Sequence, residues 1–200
     1  WPQNVINYAT NLVSNDIDTV VFYDKHTRGE SKSLIKKQFP KANIEYVCHH
    51  RSHAMSAICT TNWDECAVLV VDTVGGRYST SLGVFQNGRV EWIKRFVYPN
   101  SLGLFYSTAT RLLGFTPLKD ESQVMAAAAF GRPKWSDWIE DNVIRIGESD
   151  YHLRMDLRKG VGVGALDWDI ASSVQHTTEK ALLMLAKFLK KETNSDNLAI

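Results

Sequence analysis

Three histidines fall within five positions of the segment YVCHHRSHAMSAICTT, which covers residues 46 to 61. His49 and His53 are four residues apart, and on a helix this spacing puts both rings on one side. Two converging neutral imidazoles are a common start of a transition-metal site, which a carboxylate can complete. Asp72 follows the apolar run AVLVV, so we expect its carboxylate at the mouth of a sheet. These three residues are the predicted metal ligands, and His50 is expected to point elsewhere.

A set of two histidines and one aspartate leaves coordination positions open for water or substrate. We favour iron(II) for such a set, with zinc, manganese and magnesium as alternatives. A competing interpretation is a polar, solvated helix start that carries histidines by chance, because His-x-x-x-His is a short pattern that occurs often. The histidine segment by itself leaves both interpretations open.

The turn DTVGGRYSTS, residues 72 to 81, has the composition of an anion-binding loop. Gly75 and Gly76 would expose backbone N–H groups, and hydroxyl side chains follow them. We therefore predict that Asp72, Gly75 and Gly76 contact a phosphate group. The alternative is a plain β-turn, which glycines form easily.

The segment NSLGLFY, residues 100 to 106, leads into a predicted helix. The free N–H groups of a helix N-terminus can hold a phosphate or carbamoyl group, and Ser101 and Gly103 lie at this one. Ser101 and Gly103 are accordingly predicted to bind phosphate. The alternative is an ordinary helix cap formed by Asn100 or Ser101.

Asp167 and Asp169 flank Trp168 just before the longest amphipathic segment of the chain. One of the two aspartates is expected to cap that helix, and the other could face a substrate. We keep both as candidate acceptor-binding residues. The sequence identifies no catalytic base.

The elements that must position these residues follow an α/β order. Strand, helix, strand and helix alternate up to residue 65. Residues 66 to 98 then read as a three-strand antiparallel meander, whose second turn is Asn87-Gly88. Helices follow, with a weak strand at YHLRMDL, a glycine-rich loop at GVGVGALD and an opening strand at DNLAI.

The ribonuclease-H-like core of the actin-like ATPases begins with a meander that is followed by helices. These ATPases form the ASKHA superfamily, named after acetate and sugar kinases, heat-shock proteins and actin. We therefore predict an incomplete fold of this α/β type. Residues 1–65 would end a first subdomain, which carries the His-x-x-x-His segment. Residues 66–200 would begin a second subdomain with helical insertions.

The composition excludes several classes of protein. The 200 residues include 23 basic and 22 acidic side chains, and the net charge of +1 gives no electrostatic reason for binding nucleic acid or an anionic membrane. No apolar run approaches a membrane span of about 18 residues. Three cysteines without C-x-x-C spacing indicate reduced thiols and a cytoplasmic protein. Both ends look like cuts, so we expect a piece of a longer protein.

Five motifs occur in a fixed order: HHRSHAMSA, VVDTVGG, NSLGLFYSTATRLLGF, DESQVMAAAAFGRP and DIASSVQ. Together they resemble the O-carbamoyltransferase family of the nodulation and tobramycin carbamoyltransferases, over roughly residues 44 to 200. The chain differs from the family at the turn after Asp72, at Gln123, where a Lys is common, and at Ala126, where a Gly is common.

The resemblance implies an ATPase-like domain akin to the universal tRNA threonylcarbamoyl transferase subunit. In this family a C-terminal domain makes carbamoyl-adenylate from carbamoyl phosphate and ATP, and the ATPase-like domain moves the carbamoyl group to a hydroxyl of a small molecule. The family's metal ligands fall on His49, His53 and Asp72, and its adenylate-binding helix entry falls on Gly103.

The resemblance also implies that the adenylate-forming domain and a further metal-binding aspartate lie beyond Ile200, so the chain alone is expected to be inactive. The alternative is a non-catalytic metal- or nucleotide-binding module of the same fold. A third, weaker interpretation keeps the fold and makes the carbamoyl acceptor a tRNA base or a protein cysteine. The near-neutral charge disfavours direct tRNA binding. We expect no membrane or nucleic-acid partner and allow for a homo-oligomer.

Overall fold

The computed structural model describes residues 3–12, 17–23, 28–154 and 167–200. The chain divides into two units, Trp1–Ser52 and His53–Ile200, and the division falls inside a helix. The sequence predicts a different boundary, after residue 65, between two subdomains of an ASKHA-like fold. That boundary stays a prediction. No helix among the described residues is both long enough and apolar enough to cross a membrane.

The first unit alternates helices and strands, as the sequence predicts. In chain order its elements are α1 (Gln3–Leu12), β1 (Thr19–Phe22), α2 (Arg28–Gln38), β2 (Asn43–Tyr46) and the start of α3 (His49–Ile58). The two strands pair in parallel, from Thr19 with Asn43 to Phe22 with Tyr46. α2 ends two residues before Pro40, because a proline disfavours helical backbone at the residue preceding it. The sequence predicts a helix over residues 1 to 14 and a strand over residues 18 to 24. Residues 1, 2, 13, 14 and 24 of these two segments lie outside the described residues.

The second unit holds most of the chain. After α3 its elements are β3 (Cys66–Gly75), β4 (Tyr78–Gln86), β5 (Arg89–Val97), α4 (Leu102–Leu112), α5 (Glu121–Ala128), α6 (Ser136–Asn142), β6 (Ile144–Ile146), β7 (Tyr151–Leu153), α7 (Trp168–Thr193) and β8 (Leu198–Ala199). Its main sheet has the strand order β5-β4-β3-β8. The three meander strands are antiparallel, whereas β8 pairs in parallel with β3. The α/β class and the meander are thereby confirmed.

The two turns of the meander differ in how well the sequence predicts them. Asn87 and Gly88 both have positive φ, 51° and 72°, which is the conformation of the expected two-residue hairpin. For the first turn the sequence predicts that β3 ends at Asp72, and this prediction is wrong because β3 extends to Gly75. Pairing with β4 lapses after Val71 in a β-bulge and resumes at Gly75, so the strand continues past the end of the apolar run.

Both faces of β3 are covered, which explains its continuous apolar run CAVLVV. On one face Ala67 and Leu69 pack into a core with α4, α5 and α7. On the other face Val68 and Val70 pack with Ala54 and Ile58 of α3. α3 is therefore held against the sheet on the side opposite the larger helical layer.

The segment between α5 and α7 contains elements that the sequence does not predict. α6 and β6 lie in a stretch that reads as mixed and polar, because only a few of their residues enter the core. Ile139 and Ile144 are fully buried, and β6 pairs with β7. The predicted strand YHLRMDL is confirmed for Tyr151–Leu153, and the glycine-rich segment at residues 160 to 166 lies outside the described residues.

Candidate metal centre

Helix α3 positions the two predicted histidine ligands. The helix begins at His49, and the Ser52 N–H donates to the Cys48 carbonyl at 2.9 Å in the first turn. His49 and His53 thus lie one turn apart on the same helix. His50 is fully buried and is not one of the three side chains that converge.

Strand β3 positions the carboxylate. Asp72 lies two residues after Val70, on the sheet face that α3 covers. Its Oδ1 accepts a hydrogen bond from the Thr73 N–H at 2.6 Å. Its Oδ2 lies 3.8 Å from Nε2 of His53, whose side chain is 55% exposed. One carboxylate oxygen is thus tied to the backbone while the other faces the histidine.

The ligand atoms of His49, His53 and Asp72 all lie within 4.8 Å of one another. Ligands at bond lengths of about 2.0 to 2.2 Å in a tetrahedral shell are roughly 3.5 Å apart, so small side-chain rotations would close the set around an ion. Two imidazoles and a carboxylate are also the donors that iron(II), zinc and manganese accept. These residues therefore fit a divalent metal, and the partial exposure of the cluster leaves room for further ligands.

The N-terminus of α4 lies against the backbone that follows Asp72. Ser101 is the cap: its Oγ accepts from the Leu104 N–H at 3.0 Å. The same hydroxyl lies within donating distance of the carbonyl oxygens of Asp72, at 3.1 Å, and Thr73, at 2.8 Å. Ser101 is fully buried, so its hydroxyl fixes the junction of α4 and β3.

Gly103 permits this close approach. A Cβ at Gly103 would lie 2.6 Å from Thr73 Oγ1 and 2.7 Å from Thr73 Cα. Real Cβ atoms do not approach other atoms so closely, so the position requires glycine for steric reasons. The structure thereby brings Ser101 and Gly103 together with Asp72 through Thr73.

Gly75 and Gly76 lie farther from the cluster. Gly75 is buried and pairs with Tyr78, whereas Gly76 is exposed in the turn with φ 73°. Gly75 follows Asp72 by three residues, which is about 10 Å along a strand. The phosphate-binding role of the two glycines stays a prediction.

The two predicted acceptor-binding aspartates both organise the start of α7. Asp167 caps the helix, accepting from the N–H groups of Asp169 at 2.8 Å and Ile170 at 3.1 Å. Asp169 accepts from Lys134 Nζ at 2.5 Å and from the Arg132 N–H at 2.8 Å. These hydrogen bonds, that from Lys134 first, lower the pKa of the Asp169 carboxyl. Binding of an acceptor by either aspartate stays a prediction.

Sequence reasoning misses an arginine on the same face of the sheet. Arg95 lies in β5 with its guanidinium carbon 3.5 Å from the ring centroid of Tyr78, and its Nε donates to Ser81 Oγ at 3.1 Å. Counting back from the Asn87-Gly88 turn puts Lys94 opposite Ser81. An irregularity at Leu82/Gly83 shifts the pairing and puts Arg95 there instead. No simple pattern in the sequence signals that shift.

The fold and the site define a mixed α/β domain with a candidate metal centre formed by one helix and one strand. The chain belongs to the carbamoyltransferase family: the model of the carbamoyltransferase N-terminus matches residues 3–160. This match confirms the family that the order of the motifs indicates.

Relatives of the chain cover most of its length. An uncharacterized protein of Synechocystis is 32% identical over 176 residues, which are 76% of this chain and 29% of that protein. The nodulation protein NolNO of Sinorhizobium fredii is 26% identical over 80% of this chain and 25% of its own length. The nodulation protein NolO of Bradyrhizobium diazoefficiens is 25% identical over 76% of this chain and 30% of its own length. The chain therefore spans less than a third of these relatives.

Proposed function

We propose that this chain is the ATPase-like domain of an O-carbamoyltransferase, in which His49, His53 and Asp72 hold a divalent metal. One observation carries the proposal: in a chain of the carbamoyltransferase family, the three predicted ligands converge within 4.8 Å. The transferred group would be the carbamoyl of carbamoyl-adenylate, and the acceptor a hydroxyl of a small molecule. Iron(II) remains the favoured ion on donor chemistry.

The strand order supports the finer fold assignment. Three antiparallel strands followed by a parallel fourth, in the order β5-β4-β3-β8, are the arrangement with which a ribonuclease-H-like core opens. We therefore propose that residues 66–200 begin such a core. In that architecture the turn between the first two strands faces bound phosphates, which would give Gly75 and Gly76 their role.

The chemistry follows from what each group can hold. A bound divalent ion would supply Lewis acidity toward the carbamoyl carbonyl or a neighbouring phosphate. The N–H groups at the start of α4 would bind a phosphoryl oxygen, since they carry the positive end of the helix dipole. Ser101 and Gly103 would hold that helix end beside Asp72. Positioning two substrates and excluding water would limit hydrolysis of the reactive adenylate.

The rest of the cycle is assigned to the longer protein. We propose that a further domain makes carbamoyl-adenylate from carbamoyl phosphate and ATP, and that the enzyme works in the cytoplasm. The coverage of the relatives, at most 30% of their lengths for the three described above, supports a protein of several domains.

The test is carbamoyl transfer by the full-length protein. Labelled carbamoyl phosphate and ATP are supplied with a panel of hydroxylated acceptors, and both adenylate formation and transfer are measured. An Asp72→Asn variant should lose transfer while it retains adenylate formation. Absence of both activities in the unmodified, metal-loaded protein would contradict the proposal and favour a non-catalytic metal- or nucleotide-binding module.

A further inference from the structure

Arg95 shares a sheet face with the candidate metal centre. It pairs with Ser81, and Ser81 pairs with Val70 on β3. Val70 packs with Ala54 of α3, and Asp72 follows Val70 on the same face. Side chains at paired positions of neighbouring strands point to the same side of a sheet. The register therefore puts Arg95 on the side of the sheet where α3 and Asp72 lie.

The residue after Arg95 confirms its direction. Phe96 is buried in the core on the opposite face, where its ring stacks on Tyr151 with the centroids 4.6 Å apart. Successive strand residues point to opposite faces, so Arg95 faces away from that core. Trp92 packs against the hydrophobic cluster that includes Ala54 and Ile58 of α3, and its ring lies 5.1 Å from the Arg95 guanidinium carbon.

The guanidinium of Arg95 is held in a defined orientation. Its carbon lies 3.5 Å from the centroid of the Tyr78 ring, close enough for a strong cation–π contact. Its Nε donates to the buried Ser81 hydroxyl at 3.1 Å. A stacked guanidinium directs its N–H groups outward in its own plane, which matches the paired oxygens of phosphate and carboxylate groups.

We propose that Arg95 binds a phosphoryl oxyanion of the substrate beside the candidate metal centre, with Tyr78 and Ser81 holding its guanidinium. β3 and β5 are two strand spacings apart, about 10 Å, a separation that a phosphorylated small molecule can span. The inference rests on the proposed function for the identity of the substrate. It names Arg95 as a substrate-binding residue in addition to the three metal ligands.

Phosphate binding tests the inference directly. Orthophosphate and AMP are titrated separately, by isothermal calorimetry, into the metal-loaded protein and its variants. Arg95→Gln should weaken binding of at least one probe by about tenfold or more, because a hydrogen-bonded charge is lost. Arg95→Lys should retain part of the affinity, since lysine keeps the charge without the planar fork. The more affected probe distinguishes inorganic phosphate from a nucleotide as the source of the oxyanion.

Arg89→Gln is the matched control, because Arg89 is exposed at the opposite end of the same strand. It should bind both probes like the unmodified protein. Arg95→Lys keeps the test decisive if the glutamine variant does not fold. Unchanged affinity of a folded Arg95 variant for both probes would overturn the inference, as would failure of the unmodified protein to bind either probe.

Measurement of the bound metal distinguishes failure of this inference from failure of the proposed function. Arg95→Gln should bind the metal within about twofold of the unmodified affinity, since Arg95 is not one of the three ligands. An unmodified protein that takes up no metal would contradict the proposed metal centre. In that case the same titrations are made on the metal-free protein, and weaker phosphate binding by Arg95→Gln would still support the inference.

Discussion

Gly103 in the first turn of α4 lies directly against Thr73 of β3. A Cβ at Gly103 would fall 2.6 Å from Thr73 Oγ1 and 2.7 Å from the Thr73 backbone nitrogen and Cα. Gly103→Ala should therefore force the helix and strand apart and destabilise the protein by about 1 to 3 kcal/mol. Because Asp72 precedes Thr73, the variant should also bind metal more weakly. Urea denaturation and metal titration measure the two effects.

Thr108→Ala on the same helix is the control for the Gly103 variant. Thr108 lies one residue more than a full turn after Gly103 and lines a groove of about 150 Å³. Its replacement should leave metal affinity unchanged. A Gly103→Ala protein with the stability and metal affinity of the unmodified chain would show that the contact with Thr73 is not constrained.

Replacing any one of the three candidate metal ligands should sharply reduce the amount of bound metal. Replacing His49, His53 or Asp72 by alanine removes one of the three converging donors. Metal affinity should fall by more than the roughly 10- to 100-fold that loss of a hydrogen-bonding partner of a ligand costs. Elemental analysis after gel filtration, together with competition against a chelator, measures the loss.

His176→Ala controls for the removal of an imidazole, because His176 is exposed on α7 and is not part of the cluster. It should keep the metal content of the unmodified protein. Full metal content in a His49→Ala, Asp72→Ala double variant would show that the ion binds elsewhere.

The sequence predicts the elements best where local interactions decide them. The Asn87-Gly88 hairpin is confirmed because both residues adopt positive φ readily. Ser101 and Asp167 are confirmed as helix caps because their side chains reach nearby N–H groups. The convergence of His49, His53 and Asp72 could be predicted because the histidines lie one turn apart and the aspartate follows a buried strand, whereas metal binding by them stays a prediction.

The features that escaped prediction depend on pairing between distant residues. The shift at Leu82/Gly83 decides which of Lys94 and Arg95 lies opposite Ser81, and a shift of one residue moves a side chain to the other face. α6 and β6 were also missed, because tertiary packing of a few apolar residues in a polar stretch stabilises them. Neither kind of information is contained in a short window of sequence.

The hydroxyl groups of Tyr151 and Thr80 are expected to stabilise each other. The Tyr151 hydroxyl lies 2.7 Å from Thr80 Oγ1, with both residues fully buried, and the Tyr151 ring stacks on Phe96. Burial also raises the pKa of the Tyr151 hydroxyl. Tyr151→Phe keeps the ring but leaves the Thr80 hydroxyl without this contact, which should cost about 1 to 3 kcal/mol of unfolding free energy.

A Tyr151→Phe, Thr80→Val double variant should cost less than the sum of the two single changes, because removal of both hydroxyls leaves neither of the pair unsatisfied. Chemical denaturation of all four proteins gives the coupling free energy. Strict additivity of the two changes would show that the two hydroxyls do not stabilise each other.

The ionised carboxylate of Asp169 is expected to stabilise the folded protein, and this contribution should be lost at low pH. The pKa of the Asp169 carboxyl is lowered from 3.8, first by the Lys134 hydrogen bond and then by the Arg132 N–H. A carboxyl whose pKa is lower in the folded protein stabilises that state above its unfolded pKa, and this contribution is lost as pH falls through the folded pKa. Asp169→Asn should therefore lower the urea midpoint at pH 7, and its deficit should shrink below about pH 4. Asp64→Asn, in an exposed loop, controls for the removal of a carboxylate and should leave the urea midpoint at pH 7 unchanged. A deficit of Asp169→Asn that stayed constant from pH 7 to pH 3 would contradict the assignment.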